Sequence, residues 1–246
     1  MSSFITMESI QHSYNKEVVL KNVNLAIPEG QLFGLLGPSG SGKTTLVKMM
    51  IGLLTPSNGI IHIENEQMPS FHQMQKIGYM AQSDALYNEL TARENLLFFA
   101  SLYKIPKKLR KQRITEAASL VNLTEHLDKT LEKFSGGMKR RMSLAIALLH
   151  HPKVLILDEP TVGIDPVLRA SIWEELRNKQ KQGTTIIVTT HVMDEAEKCD
   201  NLALLRDGYV IAQGSPDDLK AKSETQSLEH AFLHFGGGSH ANSSNH

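Results

Sequence analysis

The run GPSGSGKTT at 37–45 sets Gly37, Gly40 and Gly42 around Pro38, Ser39 and Ser41, and ends in Lys43, Thr44 and Thr45. It fits G-x-x-x-x-G-K-[ST] in full. Glycines let the backbone wrap a phosphate chain with its N–H groups, the lysine reaches the β- and γ-phosphates, and the Thr44 hydroxyl can ligate Mg²⁺. A second set is Asp158 and Glu159, closing the apolar run VLIL. A buried strand delivers such acids to its C-terminal edge, where Asp158 can hold Mg²⁺ and Glu159 can polarise an attacking water. The acids could instead cap a following helix; the phosphate loop upstream favours the chemical reading. A third set, Ser135, Gly136 and Gly137, precedes MKRRMSLAIALL. Ser135 is a good N-cap, and a helix opened by two glycines offers bare N–H groups to an anion. The lysine and acids that would complete that seat lie far away in sequence.

These groups need a scaffold of strands feeding loops and helices. FITMESI and VVLKNVNLAI read as N-terminal strands, QLFGLL as a short strand running into the phosphate loop, and KTTLVKMMIGLL as the helix after it. GIIHI is a further strand. From about Ala92 to His150 the pattern is mostly helical, after which KVLILD, VLRASIWEELRNKQ, TTIIVTT and NLALLRDGYVIAQG restore alternation. Such alternation implies a largely parallel sheet with helices on its faces, interrupted by a helical insertion. The end, 236–246, is of low complexity and reads as a disordered tail.

At 246 residues the chain can build a sizeable core. Lys+Arg 26 against Asp+Glu 26 leaves no net charge, which argues against a nucleic-acid partner. Cys199 is the single cysteine, so no internal disulfide forms and a reduced compartment fits. The first residues show no signal-peptide pattern, and apolar runs such as LAIALL fall short of the ~20 residues of a membrane helix.

FSGGM between the phosphate loop and the acidic strand end sets the chain apart from nucleotide kinases and small GTPases. From about Phe4 to Gly214 it resembles the ATP-binding-cassette family, most closely cassettes of bacterial multidrug and antibiotic exporters, on ALYNELTARENL and FSGGMKRRMSLAIALLHHPKVLILDEPTVGIDP. The resemblance implies an α/β fold: a P-loop nucleotide-binding core with a mostly parallel sheet, an N-terminal antiparallel β layer and an inserted helical subdomain near 83–150, all in one domain over 1–235. It implies ATP and Mg²⁺ as ligands. Tyr14 matches the aromatic that stacks on adenine, and Gln82 the glutamine that joins the metal and nucleotide to the helical subdomain. Asp165 in VGID matches the acid of the loop that crosses to the partner, and His191 the histidine at the γ-phosphate. Partners are then a second copy or a related cassette, bound head to tail, and an integral membrane subunit, with the chain peripheral on the cytoplasmic face of the membrane. Ser135, Gly136 and Gly137 would serve the nucleotide held by the other subunit's Lys43.

Phe134 and Met138 depart from the commonest wording, Leu-Ser-Gly-Gly-Gln, and leave the Ser-Gly-Gly seat intact. Two other classes remain: a soluble cassette ATPase in translation or DNA repair, whose doubled cassette or long coiled coil the sequence does not show, and a non-hydrolysing regulator, which Glu159 and His191 disfavour. Among the remaining candidates, Lys139, Arg140 and Arg141 read as a solvated helix face, His150 and His151 as complements to a helix end, and Cys199 as a buried thiol. His230, His234, His240 and His246 read as part of the disordered end rather than as metal ligands.

Overall fold

The computed structural model describes residues 3–15, 17–83 and 85–237. In chain order it has β1 (Ser3–Tyr14), β2 (Glu17–Pro28), β3 (Leu32–Leu36), α1 (Lys43–Met50), β4 (Asn58–Ile63), β5 (Glu66–Gln67) and α2 (Phe71–Met74). Then come β6 (Ile77–Met80), α3 (Ala92–Leu102), α4 (Lys107–Leu120), α5 (Gly136–Leu148), β7 (Val154–Asp158), α6 (Pro166–Lys181) and β8 (Thr185–Thr190). The last elements are α7 (Met193–Ala196), β9 (Asn201–Arg206), β10 (Tyr209–Gly214), α8 (Pro216–Lys222) and α9 (Leu228–Gly237). They form two compact units, one from the chain up to Gln73 and from Ile187 onward, the other from Met74–Ile186.

In the first unit, β2–β1–β4–β5 make an antiparallel sheet in which Met7 faces Leu25 on one side and Ile61 on the other. Alternating burial along β2 puts Val23, Leu25 and Ile27 inward and their neighbours in solvent, as a half-covered antiparallel sheet requires. β3 is buried along its whole length and pairs in parallel with β9, from Phe33–Asn201 to Leu36–Leu204. That continuous apolar run carries the chain straight into the phosphate loop.

In the second unit, β6 pairs in parallel with β7, which is also buried throughout. The strand order in the first unit is β10–β9–β3–β8, most of β8 belonging to that unit. The helical stretch expected at 83–150 consists of α3, α4, two 3-10 turns and α5. α3 opens on a capping box of Thr91 and Glu94, and α6 on Asp165, whose Oδ1 accepts from Leu168 N at 3.0 Å, with Pro166 at its first position.

Two expectations about the C-terminus are corrected. His230 and His234 stand in α9, whose packed Leu228 and Ala231 order it, and Gly236 and Gly237 close that helix. The expected tail therefore cannot begin at Gly236; its remainder, 238–246 with His240 and His246, lies outside the described residues.

Candidate active site

The first unit holds the phosphate loop. Gly42 has φ +105° and a Cβ there would sit 2.6 Å from Leu20 Cδ2, so the turn into α1 takes only glycine. Gly37 donates from its N–H to Thr190 O at 3.4 Å, and a Cβ on it would lie 2.3 Å from the Leu205 carbonyl oxygen. No side chain among the described residues caps α1, which leaves its first N–H groups to a ligand. Lys43 is 6% exposed, and its ammonium donates to Gly37 O at 2.7 Å and Pro38 O at 2.9 Å. Pro38, Ser39 and Gly40 are exposed, Thr44 is half-buried, and Thr45 is buried. The Ser41 hydroxyl is buried without a hydrogen-bond partner among the described residues. Such an orphaned polar atom inside a cradle of N–H groups fits a polyphosphate.

Two further sequence candidates belong to this unit. Tyr14 ends β1 nearly half exposed, its ring edge-on to His12 at 4.8 Å, so it is not a packed core aromatic. His191 is exposed, directly after the buried strand β8.

The second unit gathers the others. Asp158 ends β7 and is buried, while Glu159 takes φ +52°, the left-handed region that costs a non-glycine residue about 1–2 kcal/mol. Neither acid begins a helix, since α6 starts at Pro166 with Asp165 as its cap. Gln82 Nε2 donates to Glu159 Oε2 at 3.2 Å across 77 residues. Ser135 caps α5, its Oγ accepting from Met138 N at 3.2 Å, and Ser135 and Gly136 face solvent. Beside them, a Cβ on Gly137 would stand 3.2 Å from Gly163 O, so the Ser-Gly-Gly helix start and the VGID loop are neighbours.

Arg140 corrects the sequence. A solvated face is predicted for Lys139, Arg140 and Arg141, yet Arg140 is 7% exposed and its guanidinium donates to four backbone carbonyls. Nη1 reaches Ala81 O at 2.6 Å and Gln82 O at 2.9 Å; Nη2 reaches Glu159 O at 2.7 Å and also Asp158 O. Buried hydrogen bonds from a charged donor contribute about 1.5–3 kcal/mol each, which outweighs exposure of the cation to water. Spacing could not single it out: Met142 to Leu148 are all buried, so Lys139 and Arg141 stand at the same offsets from buried residues as Arg140 does. At the other end of α5, His150 stacks on Tyr103 at 3.9 Å. Burial, helped by nearby His151, holds its imidazole down from an ordinary 6.5 to about 4, so it is neutral and does not complement the helix dipole. His151 is likewise lowered, by burial first and then by Arg113 and Lys179. Cys199 is buried as expected, its thiol directed at Glu195 O at 3.7 Å.

Residues 20–162, which include the phosphate loop and the Ser-Gly-Gly and Asp-Glu motifs, match the family model described as ABC transporter. The chain belongs to the ABC transporter family. It is 40% identical over 220 residues to the probable multidrug ABC transporter ATP-binding protein YbhF of Escherichia coli K12, covering 86% of this chain and 38% of YbhF. It is 39% identical over 218 residues to the Nod factor export ATP-binding protein I of Burkholderia orbicola, covering 87% of this chain and 72% of that protein. The chain thus spans little more than a third of the first of these ABC relatives. A solved ATP-binding subunit of an ABC transporter superposes with a TM-score of 0.88 at 27% identity, over 95% of this chain and all of that one. A dimeric ATP-binding cassette in a post-hydrolysis state with ADP and Pi superposes with a TM-score of 0.77 at 28% identity, over 86% of this chain and 98% of that one. Among the described residues of this ABC chain, no helix is long and apolar enough to cross a membrane.

Proposed function

We propose that this chain is the ATP-hydrolysing subunit of a membrane exporter for small molecules, working as a head-to-tail dimer with itself or a related cassette. The observation that carries the reading is the phosphate loop: a glycine-shaped cradle with buried Lys43 and a Ser41 hydroxyl that has no hydrogen-bond partner among the described residues. Family membership supports ATP as its ligand, and the relatives named for multidrug and Nod factor export support the exporter class.

In this reading the backbone N–H groups of 37–45 and the Lys43 ammonium neutralise the phosphates, and Tyr14 stacks on adenine. Thr44, Asp158 and Gln82 would hold Mg²⁺, which when bound spreads the negative charge of the phosphate oxygens. Glu159 orients the attacking water and accepts its proton, and His191 donates to the γ-phosphate. Ser135, Gly136, Gly137 and Asp165 act on the partner's nucleotide. The membrane subunit docks a cytoplasmic helix at the loop before α3, where exposed Tyr87 packs edge-on at 4.8 Å against exposed Phe98 of α3. The Asn95 amide pins that loop by accepting from Tyr87 N at 3.1 Å and donating to Tyr87 O at 3.0 Å. Cross-links from Tyr87→Cys to the membrane subunit are expected; links only from other faces would refute the docking.

Mixing two dead variants tests the shared site. Lys43→Ala damages the nucleotide site of its own chain, whereas Gly136→Asp damages its partner's. The aspartate itself is accommodated, because a Cβ on Gly136 meets nothing within 4 Å. Each homodimer should be inactive, and an equal mixture should recover roughly a quarter of wild-type ATPase activity if sites act independently, less if they are coupled. No recovery of activity or of ATP-trapped dimer from folded, exchanging subunits would sink the head-to-tail reading.

A further inference from the structure

One helical turn of α5 sends three cations to three segments. Lys139 Nζ donates to Asn88 Oδ1 at 2.7 Å, and Arg141 Nη1 to Val121 O and Asn122 O at 3.2 Å each. Arg140 alone is buried, and its four acceptors are the carbonyls of Ala81 and Gln82 on one side and of Asp158 and Glu159 on the other. The last residue of each pair is one of the two whose side chains meet, Gln82 Nε2 donating to Glu159 Oε2.

We infer that Arg140 is a positioning residue for hydrolysis, clamping the backbone of Gln82 and Glu159 to the helix that begins with Ser-Gly-Gly. The inference rests on the roles proposed above for those two residues.

Four carbonyl oxygens converge there, and their negative ends repel one another unless a cation lies between them. A planar guanidinium satisfies all four from one fixed fork; an ammonium offers a single point charge with another geometry. Glu159 needs such an anchor in particular. Its backbone lies in the left-handed region, which surrounding contacts must enforce, and its φ decides where the carboxylate points. Gly136 stands four residues before Arg140, one turn of a rigid helix. A phosphate bound at the Ser135–Gly137 end therefore steadies the same body that holds Glu159. Binding in one place then tightens the geometry of hydrolysis in another, with no group on Arg140 touching substrate.

The test compares wild type with Arg140→Met and Arg140→Lys, using ATP as the ligand throughout. With Met, kcat should fall about 100-fold while the Kd for ATP, measured in EDTA, stays within about threefold. Millimolar guanidinium should restore part of the lost kcat, and the Lys variant should fall between Met and wild type. Hydrogen exchange should quicken in peptides over 80–83 and 157–161 and stay unchanged over 31–50. A kcat within about threefold of wild type, a Kd weakened in proportion to kcat, or unaltered exchange at both segments overturns the inference. If the Met variant does not fold, Arg140→Lys carries the same readouts. Should wild type itself hydrolyse no ATP, the proposed function fails, and exchange still decides whether Arg140 holds the two segments.

Discussion

Lys43 and Arg140 are both buried cations that donate to backbone carbonyls, yet their reach differs greatly. Lys43 bonds 5 and 6 residues back, to Pro38 and Gly37. Arg140 bonds 18 and 19 residues ahead, to Asp158 and Glu159, and 58 and 59 residues back, to Gln82 and Ala81. The phosphate loop is shaped by its own glycines and needs its neighbours mainly as walls. The Arg140 cluster has no shape until β6, α5 and β7 have packed. Damage to the first should therefore show as lost ligand binding, and damage to the second as lost rate with binding intact.

The sharpest contrast is between Lys43→Ala and Glu159→Gln. Turnover should fall about 1000-fold in both. ATP binding, followed by equilibrium titration, should be lost only in the lysine variant, and equal binding in the two would erase the distinction. A milder break uses the loop's walls. Gly37→Ala forces a Cβ to within 2.3 Å of the Leu205 carbonyl and should cost about 2–3 kcal/mol in urea unfolding. Gly136→Ala, with open space around it, should shift stability by less than ~0.5 kcal/mol. Comparable losses would mean that the loop's shape does not depend on its close walls.

Proton linkage should register in the assembled region, through His150. His150 has a depressed folded-state pKa, about 4 against 6.5 when unfolded, so it binds protons more readily in the unfolded chain. Its contribution is complete above pH 6.5 and is lost as pH falls toward 4, amounting to about 2 kcal/mol by pH 5. Urea midpoints at pH 7.5 and 5 should show this loss, and His150→Phe should flatten that part of the profile; an unchanged slope would contradict a buried neutral ring. The smallest effect concerns Met138. If the Ser-Gly-Gly backbone is the seat, Met138→Gln should change turnover only a few-fold, ~1 kcal/mol or less, and a 100-fold change in steady-state rate would show that position 138 itself binds.

Much of this molecule was legible because its signals are short-ranged. Glycine spacing around Lys43, Ser135 ahead of an amphipathic helix and two acids closing an apolar strand each place a group within a few residues of the element that holds it. The buried strands β3 and β7 announce themselves as unbroken apolar runs, since both faces are covered. Family resemblance added Tyr14, Gln82, Asp165 and His191, which no local rule would have singled out.

Tertiary structure decided the rest. It turned Arg140 from a solvated charge into the centre of four carbonyls, brought Gln82 to Glu159 across 77 residues, and made His150 a neutral stacked ring. It also drew His230, His234, Gly236 and Gly237 into α9, where the low complexity of the following residues suggested no order. For Arg140 and His150 the reason is the same. Local sequence sets backbone preference and the polarity of a helix face, but whether a charged or polar side chain is buried depends on which distant groups arrive to replace its water. Those arrivals are fixed only when the strands and helices pack.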